Sequence, residues 1–133
     1  DICLLANKTS LSSAITNLIH NAVQVVGQGV EIHLAAQRVP DTPNQVCISV
    51  EDNGPGIADE HLQRIFEPFY TTRSQGTGLG LSVVKTVAQA HQGHVEVTNK
   101  PEGGAIFRLY LPIKLTTGQN DTGFHLSDGE RVA

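Results

Sequence analysis

A chain of 133 residues with 13 acidic and 9 basic side chains, formal net charge −4, is long enough for one domain with a two-layer core. That balance excludes a basic nucleic-acid surface and a polybasic membrane patch, and no apolar run approaches the roughly 20 residues that span a bilayer. No signal peptide opens the chain and no Met occurs in it, so the expectation is a segment of a longer protein.

Ile2 to Leu5 predicts a short strand. From about Ser10 to Val26 the residues Leu11, Ala14, Ile15, Leu18, Ile19, Ala22, Val25 and Val26 recur at helical spacing. Thr9 or Ser10 would cap that helix, and Gly27 and Gly29 would stop it. Asn17 and Asn21 lie four apart on it, with Ser13 and Gln24 along the same face. Asparagine is a mediocre helix former, so the pair invites a reason beyond propensity. Either the stripe is a solvated flank, or its amide oxygens are neutral, hard ligands suited to a Mg²⁺ ion that already carries phosphates.

Val30 to Gln37 alternates as a strand, Pro40 to Asn44 turns, and Gln45 to Glu51 returns antiparallel. Val46, Ile48 and Val50 face the core, and Asp52 shares their parity. Its carboxylate is therefore aimed inward, directly before Asn53-Gly54-Pro55-Gly56-Ile57 opens the backbone. Two readings stand: the floor of a small-molecule pocket, or an Asx-type turn ending a hairpin. Because an unpaired buried charge is costly, removing it is expected to leave the empty fold intact or slightly stabilised.

Asp59 to Phe66 predicts a short amphipathic helix, and Pro68 to Thr77 is polar and aperiodic, a candidate mobile loop. Gly76-Thr77-Gly78-Leu79-Gly80-Leu81 then opens a helix running from about Leu79 to Gln92 and ending at Gly93. Glycines at a helix N-terminus make an anion cradle from free N–H groups and the positive dipole end. It is not a dinucleotide fingerprint, since no strand precedes it, and no GKS or GKT follows as in a Walker loop. The HRD and DFG signatures of protein kinases are absent too.

His94 to Asn99 and Ala105 to Leu111 form a closing hairpin, and from Lys114 all pattern is lost. The expected division is a domain over residues 1–113 and a disordered tail over 114–133. This element order predicts an α/β two-layer sandwich, a mixed but mostly antiparallel sheet with its helices on one face. Cys3 and Cys47 lack metal-site spacing and are expected as buried, reduced thiols.

In chain order, the segment Asn17 to Ala22, Asp52 to Ile57, Phe66-Glu67-Pro68-Phe69, Gly76 to Leu81 and Gly103-Gly104-Ala105-Ile106-Phe107 resemble a known motif series. It is that of the catalytic, ATP-binding domain of bacterial two-component sensor histidine kinases, within the gyrase/Hsp90/histidine kinase/MutL superfamily. The resemblance covers about residues 10 to 112 and implies the Bergerat ATP-binding fold, with ATP and Mg²⁺ as cofactors. By it, Asn21 matches the Mg²⁺-ligating asparagine and Asp52 the acid that accepts from the adenine amino group. Gly54 and Gly56 shape the adenine side, and Gly76, Gly78 and Gly80 line the phosphates. Phe66 and Phe69 match the pair that anchors a lid. Thr71 to Gln75 fall in that lid, where Arg73 reaches the γ-phosphate and joins Asn21 as a catalytic residue. Asn17, Ile57, Thr72, Thr77, Leu79, Leu81 and Gly104 complete the implied nucleotide contacts. Gln24 stands where many relatives place a basic residue and Ala105 where a Thr is common, and both departures weaken the expected affinity.

The resemblance also implies partners: a helical dimerisation and phosphoacceptor domain upstream in the same protein, and a response regulator downstream. It implies a cytoplasmic domain that is monomeric by itself and touches neither nucleic acid nor membrane. The six His residues include none followed by an acidic residue and a Pro, so the acceptor is expected outside this chain. Gyrase-type ATPases carry a Glu at the position of Asn17 as general base for water. An amide lacks that basicity, which favours transfer to another acceptor over hydrolysis. The alternatives are a nucleotide-binding regulatory module without phosphotransfer and a self-contained superfamily ATPase, the latter disfavoured by Asn17. The spelling of Thr71 to Gly80 looks closest to sensor kinases of nitrogen- or flagellar-regulation type.

Overall fold

The computed structural model describes residues 2–4, 6–71, 79–113 and 124–126. Its elements are β1 (Ile2–Leu4), α1 (Lys8–Val26), β2 (Ile32–Val39), β3 (Thr42–Asp52), α2 (Asp59–Leu62), α3 (Gly80–Ala90), β4 (His94–Asn99), β5 (Ala105–Pro112) and β6 (Phe124–Leu126). The principal sheet runs β2-β3-β5-β4, every neighbouring pair antiparallel. β1 does not join it. It pairs antiparallel with β6, so three residues of the stretch expected to be disordered form a strand. Residues 114–123 and 127–133 lie outside the described residues.

Helix α1 begins earlier than its apolar period suggests. Asn7 is the cap, its side chain accepting from the Ser10 N–H at 2.9 Å, in place of the expected Thr9 or Ser10. Asn at this position satisfies one of the orphaned first-turn donors as well as Ser does, and the turn it adds carries no apolar residue to reveal it. α2 is likewise shorter than expected: the helix stops at Leu62, and the turns after it carry Ile65 and Phe66 to the core.

α1 and α3 cover one face of the sheet. Alternation in β3 puts Val46, Ile48 and Val50 on that face, and the register sets Ile48 opposite Leu109 and Val50 opposite Phe107. Leu11, Ala14, Ile15 and Leu18 of α1 and Val84, Val87 and Ala88 of α3 complete the core. Burying each large apolar side chain contributes about 1.5–3 kcal/mol, so the two helices are held by this shared layer. Val25, expected in the stripe, is exposed, because α1 has by then run past the sheet to the edge of the Asp52 loop.

On the opposite sheet face Cys47 is buried as a free thiol beside Tyr110. Burial pushes the Cys47 thiol and the Tyr110 phenol above their ordinary values. Nothing is described of the Cys3 side chain. No described helix is long and apolar enough to cross a membrane.

Candidate nucleotide site

The strand parity that buries Val50 carries Asp52 inward, where it is 5% exposed. Of the two sequence readings of this acid, the Asx turn is observed directly. Its Oδ1 accepts from the Gly54 N–H at 2.9 Å, which is an Asx turn, and from the Ala105 N–H at 3.2 Å across the sheet. Among the described residues, no group is hydrogen-bonded to Oδ2. Oδ1 is thus the oxygen that holds the loop. The premise that this charge is unpaired is thereby corrected: two backbone N–H groups donate to it, which argues that removing it costs stability.

The loop after Asp52 is held from both sides by asparagine amides. Asn53 Oδ1 accepts from the Glu31 N–H at 2.8 Å, and Asn53 Nδ2 donates to the Gly29 carbonyl at 3.1 Å. Asn99, at the end of β4, accepts from the Ile57 N–H at 2.8 Å and donates to the Ile57 carbonyl at 2.7 Å. Gly56, at φ +80°, fits beneath that amide, where a Cβ would stand 2.8 Å from Asn99 Oδ1. Gly104, at φ +93°, lies so close to Asp52 that a Cβ would come within 2.0 Å of its carbonyl oxygen. Gly54 faces Val25 and Val26 at the end of α1. The loop, the β4–β5 turn and the end of α1 thus meet around Gly54 and Gly56.

The other end of the site is the start of α3. Its N-cap position is Leu79, and among the described residues no side chain is hydrogen-bonded there as a cap. Asn17 comes up against it: a Cβ on Gly80 would lie 3.4 Å from Asn17 Oδ1. Asn21, one turn along α1, is half-buried, and among the described residues its amide has no hydrogen-bond partner. The outer members of the predicted stripe, Ser13 and Gln24, are exposed, with Gln24 Nε2 3.4 Å from His20 Nε2. No cluster of three or more His, Cys, Asp or Glu side chains able to hold a metal occurs among the described residues. A cation here would need oxygen donors from a ligand and water, with Asn21 as the neutral protein oxygen, which suits Mg²⁺.

Phe66 and Phe69 part company. Phe66 packs on Phe107 in an edge-to-face pair with centroids 6.1 Å apart. Phe69 is 74% exposed at φ +66°, and the lid it was expected to anchor lies outside the described residues. The next residue, Tyr70, is held against the α2 segment. A hydrogen bond joins its hydroxyl to His61 Nδ1, and the Arg64 guanidinium sits 4.6 Å over its ring. Leu79, Gly80 and Leu81 are described at the start of α3. Thr72, Arg73, Gly76, Thr77 and Gly78, with the lid and most of the stretch that suggested a sub-family, lie outside the described residues.

Asn53, Asn99 and Tyr70 are the residues sequence reasoning missed. Tyr70 follows Phe69 directly, and its aromaticity was a signal. Asn99 had none, because its partner Ile57 is 42 residues away.

The profile of the family described as histidine kinase-, DNA gyrase B-, and HSP90-like ATPase matches residues 6–115. Sensor histidine kinase ZraS of Escherichia coli O157:H7 is 40% identical over 111 residues, which cover 84% of this chain and 24% of that protein. The chain therefore spans about a quarter of the length of this relative. The nucleotide-free catalytic domain of histidine kinase ThkA superposes with TM-score 0.72 at 32% identity, covering 81% of this chain and 69% of that one. The full-length ShkA structure in complex with AMPPNP gives TM-score 0.73 at 31% identity, covering 86% of this chain and 24% of that one. ThkA has also been solved in complex with response regulator protein TrrA, with TM-score 0.68 at 29% identity over 82% of this chain and 30% of that one.

Proposed function

This chain belongs to the histidine kinase-, DNA gyrase B-, and HSP90-like ATPase family, and on that premise we propose that it binds Mg-ATP and presents the γ-phosphoryl group to a histidine outside this chain. The observation that carries the proposal is the Asp52 carboxylate, buried yet engaged with described groups through Oδ1 alone. Oδ2 is set to accept from the exocyclic amino group of adenine. Guanine would offer an oxygen there and be repelled.

The triphosphate runs from that floor toward the start of α3, where helix N–H groups and the dipole favour negative charge. Asn21 would hold Mg²⁺, which neutralises charge on the phosphates during transfer. Asn17 lies at the phosphate end and offers an amide with no basicity to activate water, which supports transfer over hydrolysis. Arg73 is proposed to reach the γ-phosphate.

The acceptor is proposed to be a histidine on a helical dimerisation domain of the full protein, with a response regulator downstream and a cytoplasmic location. This chain by itself is proposed to be a monomer. Two measurements test the reading. Calorimetric titration should show ATP and ADP binding in preference to GTP. Mixing the chain with the full protein's dimerisation domain and γ-labelled ATP should label a histidine of that domain. ATP binding with no transfer would favour a regulatory module, and steady phosphate release without the partner would favour a self-contained ATPase.

A further inference from the structure

We infer that Asn99 is a positioning residue for the adenine end of the site, acting through the backbone of Ile57. The inference rests on the nucleotide reading above and deepens it. A strand terminates at Asn99, yet its side chain continues the pairing: the amide oxygen accepts from Ile57 N–H at 2.8 Å and the amide nitrogen donates to Ile57 C=O at 2.7 Å. A primary amide is the side chain that can mimic a peptide group in this way, one acceptor and one donor side by side.

The clamp closes the far end of a segment whose near end is fixed by Asp52. Oδ1 of Asp52 holds the Gly54 N–H, and Asn53 ties the same loop to Gly29 and Glu31. Between these ties lie Pro55 and Gly56, with Gly56 seated against the Asn99 amide at a φ that disfavours any side chain. Gly103 sits close to the Gly54 carbonyl, where a Cβ would be 3.9 Å away. Lys100 and Gly104 pair through their backbones at 2.9 Å, so the turn after Asn99 is itself rigidly closed. The β4–β5 turn therefore forms a platform under the loop, and Asn99 is the side chain that joins them.

Without this joint the loop keeps its anchor at Asp52 but loses its fixed exit. A bound adenine would then have to order Gly54 to Ile57 at its own expense, which lowers affinity without removing any group that touches it. Losing two neutral hydrogen bonds that preorganise the loop corresponds to roughly tenfold weaker binding.

The test uses this chain, ADP and GDP as probes, and two variants. Asn99→Ala removes both bonds. Asn99→Asp is isosteric and keeps an acceptor for the Ile57 N–H, but it sets an oxygen against the Ile57 carbonyl. Calorimetry well below the melting temperature should show ADP binding weakened roughly tenfold in Asn99→Ala, with the ADP-over-GDP preference reduced. Asn99→Asp should bind ADP more weakly than the parent as well. Amide exchange at Ile57, followed by NMR, should quicken in Asn99→Ala, which has no acceptor for that N–H. A purely structural role would lower the melting temperature and leave ADP affinity and base preference in the folded protein at the parental level. That result, in either variant, would overturn the positioning role alone. A parent that binds no ADP would overturn the nucleotide reading itself, and this inference with it.

Discussion

Replacing Asp52 separates the two tasks of its carboxylate. In Asp52→Ala the Gly54 and Ala105 N–H groups lose their acceptor, and Ala105 is buried where water cannot replace it. Hydrogen bonds to a charged group are worth about 1.5–3 kcal/mol each, and an orphaned buried donor costs about 1–3 kcal/mol. Relief of burying a charge offsets part of this, so a net loss of roughly 2–4 kcal/mol is expected. For a domain of this size that lowers the melting temperature by about 8–15 °C. Asp52→Asn keeps an oxygen for both N–H groups and turns Oδ2 into an NH₂ donor. It should melt within a few degrees of the parent, yet present a donor to the adenine amino group and lose ATP affinity about 10- to 150-fold. Scanning calorimetry of the nucleotide-free proteins and titration with ATP read the two effects apart. An Asp52→Ala protein that melts with the parent would refute the structural half of the reasoning. Unimpaired ATP binding by Asp52→Asn would refute the binding half.

Gly104→Ala should abolish cooperative folding, because its Cβ would lie 2.0 Å from the Asp52 carbonyl at φ +93°; a sharp parental thermal transition by circular dichroism would contradict this. Asn21→Ala should leave the melting temperature within about 2 °C while removing the enhancement of ATP binding by Mg²⁺, measured by titration with and without the metal. Tyr70→Phe breaks the bond to His61 and should raise amide exchange around Arg64 to Thr71 with a stability loss of about 1 kcal/mol. Stability should also fall in alkaline solution. Burial raises the Cys47 thiol, so the unfolded chain releases that proton at lower pH than the folded one. The stabilisation is complete below the unfolded thiol's value, near pH 8.5, and is lost as pH rises above it. Urea titrations at about pH 7.5 and 9.5 should show the decline, and Cys47→Ala should flatten it.

What the sequence determined by itself was everything encoded in local period and spacing. Alternation from Val46 to Val50 implied the inward aim of Asp52, helical spacing placed Asn17 and Asn21 on one face, and the glycines marked the start of α3. These follow from neighbours along the chain, and the motif series identified the family for the same reason. Tertiary structure decided what those residues meet. Asp52 is tied to Ala105, 53 residues away, and Ile57 to Asn99, 42 residues away, through a sheet order that inserts β5 between β3 and β4. It decided that Phe69 faces solvent while Tyr70 is held, since packing depends on how the turns after α2 meet Phe107. It also gave the charge expected to be unpaired two backbone donors. A hydrogen bond between distant segments depends on register and chain closure, and neither leaves a mark in the local pattern.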